Sequence, residues 1–538
     1  MSAIKANQVL NLDGDRIGSV VVDSIANMKN LNPEIEANAT VEVLGYYSKG
    51  DGGGGTFYWD STSIEDDNGG TIIEATGVVD GRWIRNYSGA VNVKWFGAKG
   101  DGVNSGSPSY IWTGTNDTVA FQKAFTSSAD VVAPDGAYLI YDTIYPQRES
   151  SIRAYKSGQR VEIIYNANDT KDLFHLDTAP FFTFEGITLN RSRGLLLLGT
   201  NFGNIIYTKK SAHVDILNCS IGFGGVGILH DGGSYISKIV NCKINNCKSN
   251  IKLTIVNGSQ TDTLIQGNTF GDVWPDREAT DYSLNISSNG VRIANNYFET
   301  VHDKYSIYGQ TSGQALVVSD NYFYNSGGCY MLGRTVFSGN TLEAPNLIDA
   351  TMVQLRGGRS TFTGNTIDGY NASTLISTGL SVVAGKCSVS GNTFSGFSSK
   401  AISTAGGGQT IVVGNQITNC IATGISVQGT NNIITNNIIE ATSYAINFGS
   451  SIENVVNGNI MVDGNTANYA NKRNHFVGNI GADGKNRVIS VGASPTSGTW
   501  VLGDRVYITN PIAGGTVGFI CTVAGTPGTW KSFGTIEA

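Results

Sequence analysis

The sequence is poor in charge, in proline and in cysteine, and each shortage excludes a class of protein. Asp, Glu, Lys and Arg make up 15% of the 538 residues, where about 25% is usual, and there are only 10 Pro. Low charge beside 40% hydrophobic residues argues against intrinsic disorder and against a coiled coil. The 7 Cys are odd in number and form no CxxC pair, so we expect small buried thiols and neither a disulfide framework nor a metal site.

Long apolar runs and basic stripes are also missing. The densest apolar run, Leu195 to Leu198, is far shorter than the roughly 18 residues of a membrane span. The first residues, MSAIKANQVLNLDGD, lack the apolar core of a signal peptide. The net charge is -7 and no basic stripe is visible, which makes nucleic acid an unexpected partner. We therefore expect no membrane segment, and a protein that is made in a cytoplasm and leaves it, if at all, by another route.

A short motif recurs along the chain from residue 218 onward, reading GNTF at 267–270, DNYF at 320–323 and GNTI at 364–367. The last, apolar residue of each copy defines a column: Ile221, Ile244, Phe270, Phe298, Phe323, Leu342, Ile367, Phe394, Ile417, Ile439 and Met461. This column spans 240 residues in ten steps, an average of 24. A period in the low twenties with short β-prone runs predicts a solenoid. The repeats contain no LxxLxLxxN pattern and no helical half, which favours a β-solenoid over a leucine-rich horseshoe.

An Asn precedes most of these apolar residues, at positions 268, 296, 321, 340, 365, 392, 415, 437 and 459. Stacked coil on coil, such Asn side chains can form a hydrogen-bond ladder at a turn. The Gly or Asn before each of them fits a position that needs a left-handed backbone. Cys219 and Cys242 occupy the same column in the first copies, which favours interior stacking for them too. We predict an all-β fold: a right-handed, single-stranded parallel β-helix with small terminal β domains.

One helix is predicted ahead of the repeats, where residues 116–125 read NDTVAFQKAF. The helical period places four apolar residues on one face: Ala120, Phe121, Ala124 and Phe125. Asn116 or Asp117 can cap its start. A solenoid must cover its open end, so we expect this helix to cap the first coil and its unpaired strand edge.

Three stretches resemble parts of bacteriophage tailspike proteins. Residues 91–140 contain VNVKWFGAKGDGVN, NDTVAFQKAF and VVAPDGAYLI, which closely resemble the start of the pectate-lyase-superfamily β-helix of tailspikes. VEVLGYYSKGDGGGGTFYWD at 41–60, with GGTIIEATGVVDGRWIR at 69–85, resembles the small domain that precedes that β-helix. PTSGTWVLGD at 495–504, with AGTPGTWKSFGTIE at 524–537, resembles a terminal module of the same proteins.

The resemblance implies both an organisation and a function. It implies an N-terminal attachment segment at 1–38, a small β domain at 39–90, a catalytic parallel β-helix at 91–484 and a small C-terminal β module at 485–538. Such tailspikes are homotrimers of the virion tail that bind and cleave bacterial surface polysaccharide, either capsule or O-antigen. Most are hydrolases and some are lyases. Because the attachment segment is short, we expect it to bind a phage tail or adaptor protein.

Acidic residues suggest where a glycosidic bond would be cleaved. Hydrolysis generally needs two carboxylates that flank the bond. Acids in one outward column of a β-helix lie about 5 Å apart on adjacent coils and about 10 Å apart at two coils. The residue after each apolar column position should point outward. That outward column contains Glu299, Tyr324, Glu343 and Asp368, and the neighbouring segments 272–281 and 299–305 are dense in acids.

We predict that four acids form the carboxylate cluster: Asp272, Asp276, Glu299 and Asp303. The predicted substrate-binding residues are Trp274, Arg277, His302, Tyr305, Tyr308, Tyr322, Tyr324 and Arg356. A second candidate cluster consists of Glu343, Asp349 and Asp368. Crowded carboxylates raise one pKa, which leaves an acid and a base in the same groove. We expect no metal and no cofactor.

Other functions remain open from the sequence. In a lyase, a neutral His302 or a Tyr would remove the proton beside a uronic carboxylate, and Arg277 or Arg356 would neutralise that carboxylate. A Ser-His-Asp esterase lacks its GxSxG marker. A fibre that binds glycan without cutting it and a purely structural spike are further alternatives, which the acid-rich segment disfavours.

Overall fold

A computed structural model of the chain describes residues 20–32, 40–107, 109–147, 149–196, 202–233, 236–254, 262–271, 282–299, 305–311, 313–343, 351–371, 374–406, 408–449, 451, 453–465, 475–480, 486–487, 490–498, 500 and 502–538. The chain forms two compact units, residues 1–269 and residues 270–538.

Unit 1 begins with a small five-stranded sheet. Its strands, in spatial order, are Val20–Val22, Val41–Val43, Gly55–Asp60, Arg82–Arg85 and Ile72–Ile73, with the helix Ile25–Lys29 beside them. Trp83 and Phe57 are fully buried in its core, and the Trp59 and Trp83 rings meet edge to face at 5.1 Å. The first strand falls within the segment predicted for attachment. Val20 and Val22 are buried in this sheet because alternate residues of a strand share one face.

Parallel β-strands follow, stacked coil on coil. One sheet of unit 1 contains Val91–Asn92, Asp130–Ala133, Ser151–Ala154, Phe182–Glu185, Val214–Leu217, Lys238–Val240 and Leu264–Gln266. The other coil faces are formed by Gly136–Ile140, Val161–Tyr165, Phe174–Asp177, Thr188–Arg191, Ile206–Lys209, Ser220–Gly222, Val226–Asp231, Lys243–Asn245, Ser249–Leu253 and Thr269–Gly271. The register sets Ile163 opposite Leu189 and Ile152 opposite Phe184, so that apolar side chains stack in the interior. A two-stranded hairpin joins Val103–Asn104 to Trp112–Thr113.

The predicted capping helix is confirmed as Thr118–Ser127, beside the short 3₁₀ helix Val93–Phe96. Its four predicted apolar residues are all buried: Ala120, Phe121, Ala124 and Phe125. Asn116 Oδ1 accepts a hydrogen bond from the Thr118 N–H at 3.0 Å. Asp117 instead accepts hydrogen bonds from the Lys99 and Gly100 N–H groups, and burial raises its pKa to about 6. A further short helix is Arg193–Leu196.

Unit 2 contains the later coils, again with parallel strands. One sheet contains Arg292–Ala294, Leu316–Ser319, Thr335–Ser338, Thr361–Thr363, Ser388–Ser390, Ile411–Val413, Ile433–Thr435, Val455–Asn457 and His475–Val477. The other faces contain Tyr282–Ile286, Tyr297–Glu299, Tyr305–Gly309, Tyr322–Tyr324, Gly328–Met331, Thr341–Glu343, Thr351–Leu355, Thr366–Asp368, Tyr370–Asn371, Thr374–Val382, Thr393–Ala405, Gln416–Cys420, Thr423–Gln428, Ile438–Asn447, Ile460–Asn465, Asn479–Ile480 and Asn486–Arg487. The predicted fold class, an all-β parallel β-helix, is confirmed.

The predicted apolar column forms the solenoid interior. Every one of its eleven residues from Ile221 to Met461 is at most 2% exposed. In unit 2 the rings stack from coil to coil, with centroid distances of 4.8 Å for Phe270–Phe298 and 4.5 Å for Phe298–Phe323. All seven Cys are buried and none of them forms a disulfide, as predicted. This interior supplies the hydrophobic stabilisation of each coil, because no coil could bury its apolar face alone.

The predicted Asn ladder is present in unit 2. The Asn296 N–H donates to Asn321 Oδ1, and the same bond recurs down the column to Asn479 at 2.9–3.0 Å. The side-chain NH₂ of Asn365 donates both to Asn392 Oδ1 and to the Phe337 carbonyl. In unit 1, Asn268 Oδ1 accepts from the Cys242 N–H at 2.8 Å. The preceding turn residues have positive φ, as Gly364 (64°) shows.

A four-stranded sheet ends the chain, with the strands Ser490–Val491, Arg505–Ile508, Thr516–Val523 and Thr529–Thr535 in order. Trp500, Val506 and Cys521 form its core, and the rings of Trp500 and Trp530 meet edge to face at 4.7 Å. Among the helices in the described part of the chain, none has the length and apolar character needed to cross a membrane.

Candidate functional site

Four successive coils of unit 2 present one outward column, Glu299, Tyr324, Glu343 and Asp368, which we call the carboxylate column. The strands Tyr297–Glu299, Tyr322–Tyr324, Thr341–Glu343 and Thr366–Asp368 each bury their middle residue and turn the flanking residues outward. The register stacks Phe298 on Phe323, sets Tyr324 opposite Glu343, and stacks Leu342 on Ile367. The outward orientation that the alternation predicted is therefore confirmed.

A group of three tyrosine rings lies at one end of the carboxylate column. The ring centroids of Tyr297 and Tyr322 are 5.6 Å apart, and those of Tyr322 and Tyr324 are 6.4 Å apart. Tyr322 and Tyr324 are 36% and 42% exposed, so part of each ring is accessible to a ligand. Exposed aromatic faces with a polar edge suit ligands that have both apolar and hydroxyl-bearing surfaces.

Hydrogen bonds orient the carboxylates of the column. The Tyr322 hydroxyl donates to Glu343 Oε2 at 2.8 Å, and this bond is the main cause that raises the pKa of Tyr322 to about 12. Tyr322 therefore stays a protonated donor at neutral pH and fixes one oxygen of Glu343. The Tyr370 N–H donates to Asp368 Oδ1 at 3.0 Å. The Tyr297 hydroxyl points at Glu299 Oε2 from 3.4 Å, a longer contact.

A groove of about 790 Å³ begins at Asp368 and continues along the later coils. Tyr370, Ser395, Asn419 and Glu440 contribute to its walls. Tyr370 is 62% exposed and belongs to a short antiparallel hairpin, in which it lies opposite Leu375. A groove of this size, lined by apolar and polar groups with a carboxylate at each end, has the properties of a ligand site.

A second group of rings in unit 2 is centred on Tyr308, which lies opposite Tyr330 on the next coil. Tyr308 stacks on Tyr282 at 4.4 Å and on Tyr330 at 5.5 Å, and the Arg356 guanidinium lies 5.5 Å from the centre of the Tyr330 ring. The predicted role of Tyr305 in stacking sugars is wrong. Its ring is only 5% exposed, because the rings of Tyr282, Tyr308 and Tyr330 pack around it.

Most of the first predicted acid cluster lies outside the described residues. This applies to Asp272, Asp276, Asp303, Trp274, Arg277 and His302, and also to Asp349 of the second cluster. Glu299 is the described member of the first cluster, and it is exposed. The structure brings Glu299, Tyr322, Tyr324, Glu343 and Asp368 together on one face. Their catalytic roles stay predictions.

Sequence reasoning did not select three residues of this surface: Tyr297, Tyr370 and Glu440. Glu440 follows an apolar column residue, Ile439, and so carried the same outward signal as Glu343. Tyr297 precedes Phe298 and carried the equivalent signal on the other side of the buried residue. Tyr370 had no such signal, since its position depends on a hairpin that departs from the repeat.

A protein-family model matches the N-terminal part of the chain. Residues 21–88 match the model of the family described as the phage tail protein small four-stranded β-sheet domain. The predicted resemblance to phage tailspikes is confirmed. A small β domain of the phage tail type precedes a parallel β-solenoid, in the order that the resemblance implied.

Solved structures give further likenesses, all at low sequence identity. Tailspike protein 3 of bacteriophage CBA120 has a TM-score of 0.47 at 12% identity, covering 84% of this chain and 70% of that one. Tailspike protein 2 from an Escherichia coli O157:H7 bacteriophage has a TM-score of 0.40 at 13% identity, and the match covers 93% of this chain and 60% of that one. Tailspike gp49 from the Acinetobacter baumannii bacteriophage Fri1, a capsular polysaccharide depolymerase, has a TM-score of 0.36 at 14% identity, and the match covers 87% of this chain and 77% of that one. These likenesses identify no functional residue in this chain.

Proposed function

We propose that this chain is a virion tail protein that binds a bacterial surface polysaccharide, capsule or O-antigen, and hydrolyses it with paired carboxylates. The observation that carries the proposal is the position of Glu343 and Asp368. They lie on adjacent coils, next to exposed tyrosine rings on one side and the groove on the other. A polysaccharide running along the solenoid would cross all three features.

The spacing of the carboxylates suggests the chemistry. Adjacent strands lie about 4.7–4.9 Å apart, which is close to the separation of about 5–5.5 Å in retaining glycosidases. One carboxylic acid would donate a proton to the leaving glycosidic oxygen. The other carboxylate would attack the anomeric carbon, and water would then release the sugar. Glu343, held by the Tyr322 hydroxyl, is the better oriented nucleophile.

A pair formed by Glu299 and Glu343 leads to a different stereochemical expectation. Glu299 lies two coils from Glu343, at about 10 Å, which is closer to the separation of about 6.5–9.5 Å in inverting glycosidases, where water sits between the two groups, than to the retaining separation. A pair formed by Glu299 with Asp272, Asp276 or Asp303 also remains a prediction. The configuration of the first product therefore distinguishes the pair Glu343 and Asp368 from the pair Glu299 and Glu343.

The test of the proposed function uses the purified protein and a panel of capsular and O-antigen polysaccharides. We expect reducing ends to appear with one polysaccharide and its close relatives, without the ultraviolet absorbance of an unsaturated uronate. Nuclear magnetic resonance of the first product should show retained anomeric configuration. Unsaturated products would instead indicate a lyase. Binding without any cleavage across a panel that includes the host's own polysaccharide would contradict the enzymatic proposal.

We also propose that three copies of the chain associate through an aliphatic stripe on unit 2. Six residues form this stripe, each 38–42% exposed: Ile411, Ile433, Val455, Ile438, Ile460 and Ile480. They form two columns of consecutive coils on either side of the Asn turn. A three-fold axis parallel to the coil stack would set each residue of the stripe beside its own copies in the other two subunits. Because the stripe is uncharged, these identical residues would not repel one another. Extended exposed apolar surface marks interaction sites in soluble proteins.

Light scattering should therefore give about three times the subunit mass of 56.9 kDa. Ile438→Lys combined with Ile460→Lys should lower that mass, because it would place charges at the contact. Thr366→Lys, at an exposed position of the same column, is the matched control and should leave the mass unchanged. A monomer mass for the parent at micromolar concentration would contradict the proposal.

The small N-terminal domain supports attachment to the virion. We propose that the segment before it, together with this phage-tail-type domain, binds a phage tail or adaptor protein.

A further inference from the structure

Unit 1 carries its own line of outward rings, Tyr145, His175 and Tyr207, which we call the aromatic ladder. A parallel bridge between Ile144 and Phe174 puts Tyr145 beside His175, and the strand register sets His175 opposite Tyr207. The ring centroids are 5.5 Å apart for Tyr145–His175 and 4.5 Å apart for His175–Tyr207. Tyr145 is 57% exposed. Three coils thus present one continuous aromatic surface.

Half-buried polar groups hold the two inner rings in place. Asp172 Oδ2 lies 3.0 Å from His175 Nδ1, while Asp172 Oδ1 accepts two hydrogen bonds from Asn204, at 3.0 Å and 2.7 Å. The Tyr207 hydroxyl donates to Asp231 Oδ2 at 3.0 Å, and Thr254 donates to the other oxygen of Asp231 at 2.8 Å. Each ring is therefore fixed by one edge before any ligand arrives.

The outer end of the ladder is also fixed. The Tyr145 N–H donates to Gln122 Oε1, and Gln122 Nε2 donates to the Tyr145 carbonyl, both at 3.0 Å. Gln122 belongs to the capping helix Thr118–Ser127. The ladder thus starts at the helix that covers the first coil, and its backbone is held there at both hydrogen-bonding groups.

Charged residues of alternating sign flank the ladder. Asp177, Lys209 and Asp231 lie opposite one another on three successive coils, two residues along from the ring column. Asp177 is exposed and Lys209 is half-buried. Carboxylates accept hydrogen bonds from sugar hydroxyls, and an ammonium group donates hydrogen bonds to the hydroxyl oxygens. Aromatic faces cover the apolar side of a sugar ring.

We propose that the aromatic ladder is a second glycan-binding site, which holds an uncharged, hydroxyl-rich stretch of polysaccharide without cleaving it. Three carboxylates, those of Asp172, Asp177 and Asp231, lie around the rings with Lys209 among them, and the Asp142–Lys171 ion pair near Tyr145 adds no net charge, so the balance would repel an acidic sugar. The carboxylates of Asp172 and Asp231 each already accept hydrogen bonds at both oxygens, which suits them to holding the rings. This proposal rests on the proposed function in one respect, the identity of the ligand, which would be the same polysaccharide.

The test counts binding sites in a protein that does not cleave. Isothermal titration of the Glu343→Gln protein with an uncharged oligosaccharide from the cleaved polysaccharide should give two sites per subunit. Adding Tyr207→Leu to this protein should leave one binding site per subunit. Leu is tolerated in this column, because Leu229 lies opposite Tyr207 on the next coil. Tyr207→Phe keeps the ring and should keep both sites. Tyr145→Ala, at the exposed end, should weaken the second site by about threefold to tenfold.

Cleavage of short fragments provides the complementary measurement. Tyr145→Ala and Tyr207→Leu on the otherwise unchanged protein should leave kcat/KM for a short oligosaccharide as in the parent, and lower retention on the intact polymer. One site per subunit in the Glu343→Gln protein, or unchanged binding in both ladder variants, would overturn the proposal. So would binding confined to acidic polysaccharides. If the parent cleaves no polysaccharide of the panel, but binds an uncharged one that the ladder variants bind more weakly, the proposed function fails and the second site stands.

Discussion

Replacing Glu343 by Gln or Asp368 by Asn is expected to lower the turnover of polysaccharide by at least about 10²-fold. Each change removes one of the two groups that the proposed hydrolysis requires, either the proton donor or the attacking carboxylate. Both side chains lie outside the apolar interior, at the surface of strands whose middle residues fill the core. The melting temperature and the binding of intact polysaccharide should therefore stay as in the parent, which separates a chemical defect from a folding defect.

Asp320→Asn is the matched control for this pair. Asp320 is exposed at a turn with φ of 56°, and Asn occupies the equivalent turn position at Asn295 and Asn436. The control should therefore fold and cleave normally. Turnover within a few-fold of the parent for both Glu343→Gln and Asp368→Asn would contradict the assignment. A loss in Glu299→Gln or Asp303→Asn instead would place the reaction at the first predicted cluster.

Asn365→Ala or Asn392→Ala is expected to lower the free energy of unfolding by about 1–3 kcal/mol each. Asn365 Oδ1 accepts the Asn340 N–H, and its NH₂ group donates to the Phe337 carbonyl. Alanine would leave these buried groups without partners. Because the two Asn contact each other, the double variant should lose less than the sum of the single effects.

Chemical denaturation measures this loss, and activity at low temperature should survive in both variants. Asn285→Ala is the control, since Asn285 is half-buried on an outward strand position and belongs to no ladder. It should change stability little. A ladder variant with unchanged stability and lost activity would show that the Asn column contributes to function and not to the fold.

The fold was predictable because its determinants repeat. A buried residue such as Phe298, the Asn before it and the left-handed turn position before that recur on coil after coil, so one misread copy is corrected by the others. The start of the small N-terminal sheet was not predictable in this way. The strand Val20–Val22 occurs once, and its pairing with Val41–Val43 is a contact between segments about twenty residues apart.

The candidate site was predictable only in the part that follows the repeat. Alternation along a strand indicated that Glu343 and Asp368 face outward, and the structure places them so. It could not indicate the groove, because the wall formed by Tyr370 comes from a hairpin inserted between regular strands. Tyr305 misled for a different reason. Its burial comes from the rings of Tyr282, Tyr308 and Tyr330 packed around it, and such contacts between coils leave no mark in the repeat.

A crystal structure of the Glu343→Gln protein with a bound oligosaccharide is the most direct test of the central claim, that Glu343 and Asp368 flank the cleaved bond. The substrate should be an oligosaccharide of the polysaccharide that the parent degrades, long enough to reach from the Tyr322 ring to the Glu440 end of the groove. We expect a glycosidic oxygen within hydrogen-bond distance of Asp368 and an anomeric carbon facing residue 343. A sugar bound elsewhere, with its scissile bond away from both residues, would contradict it.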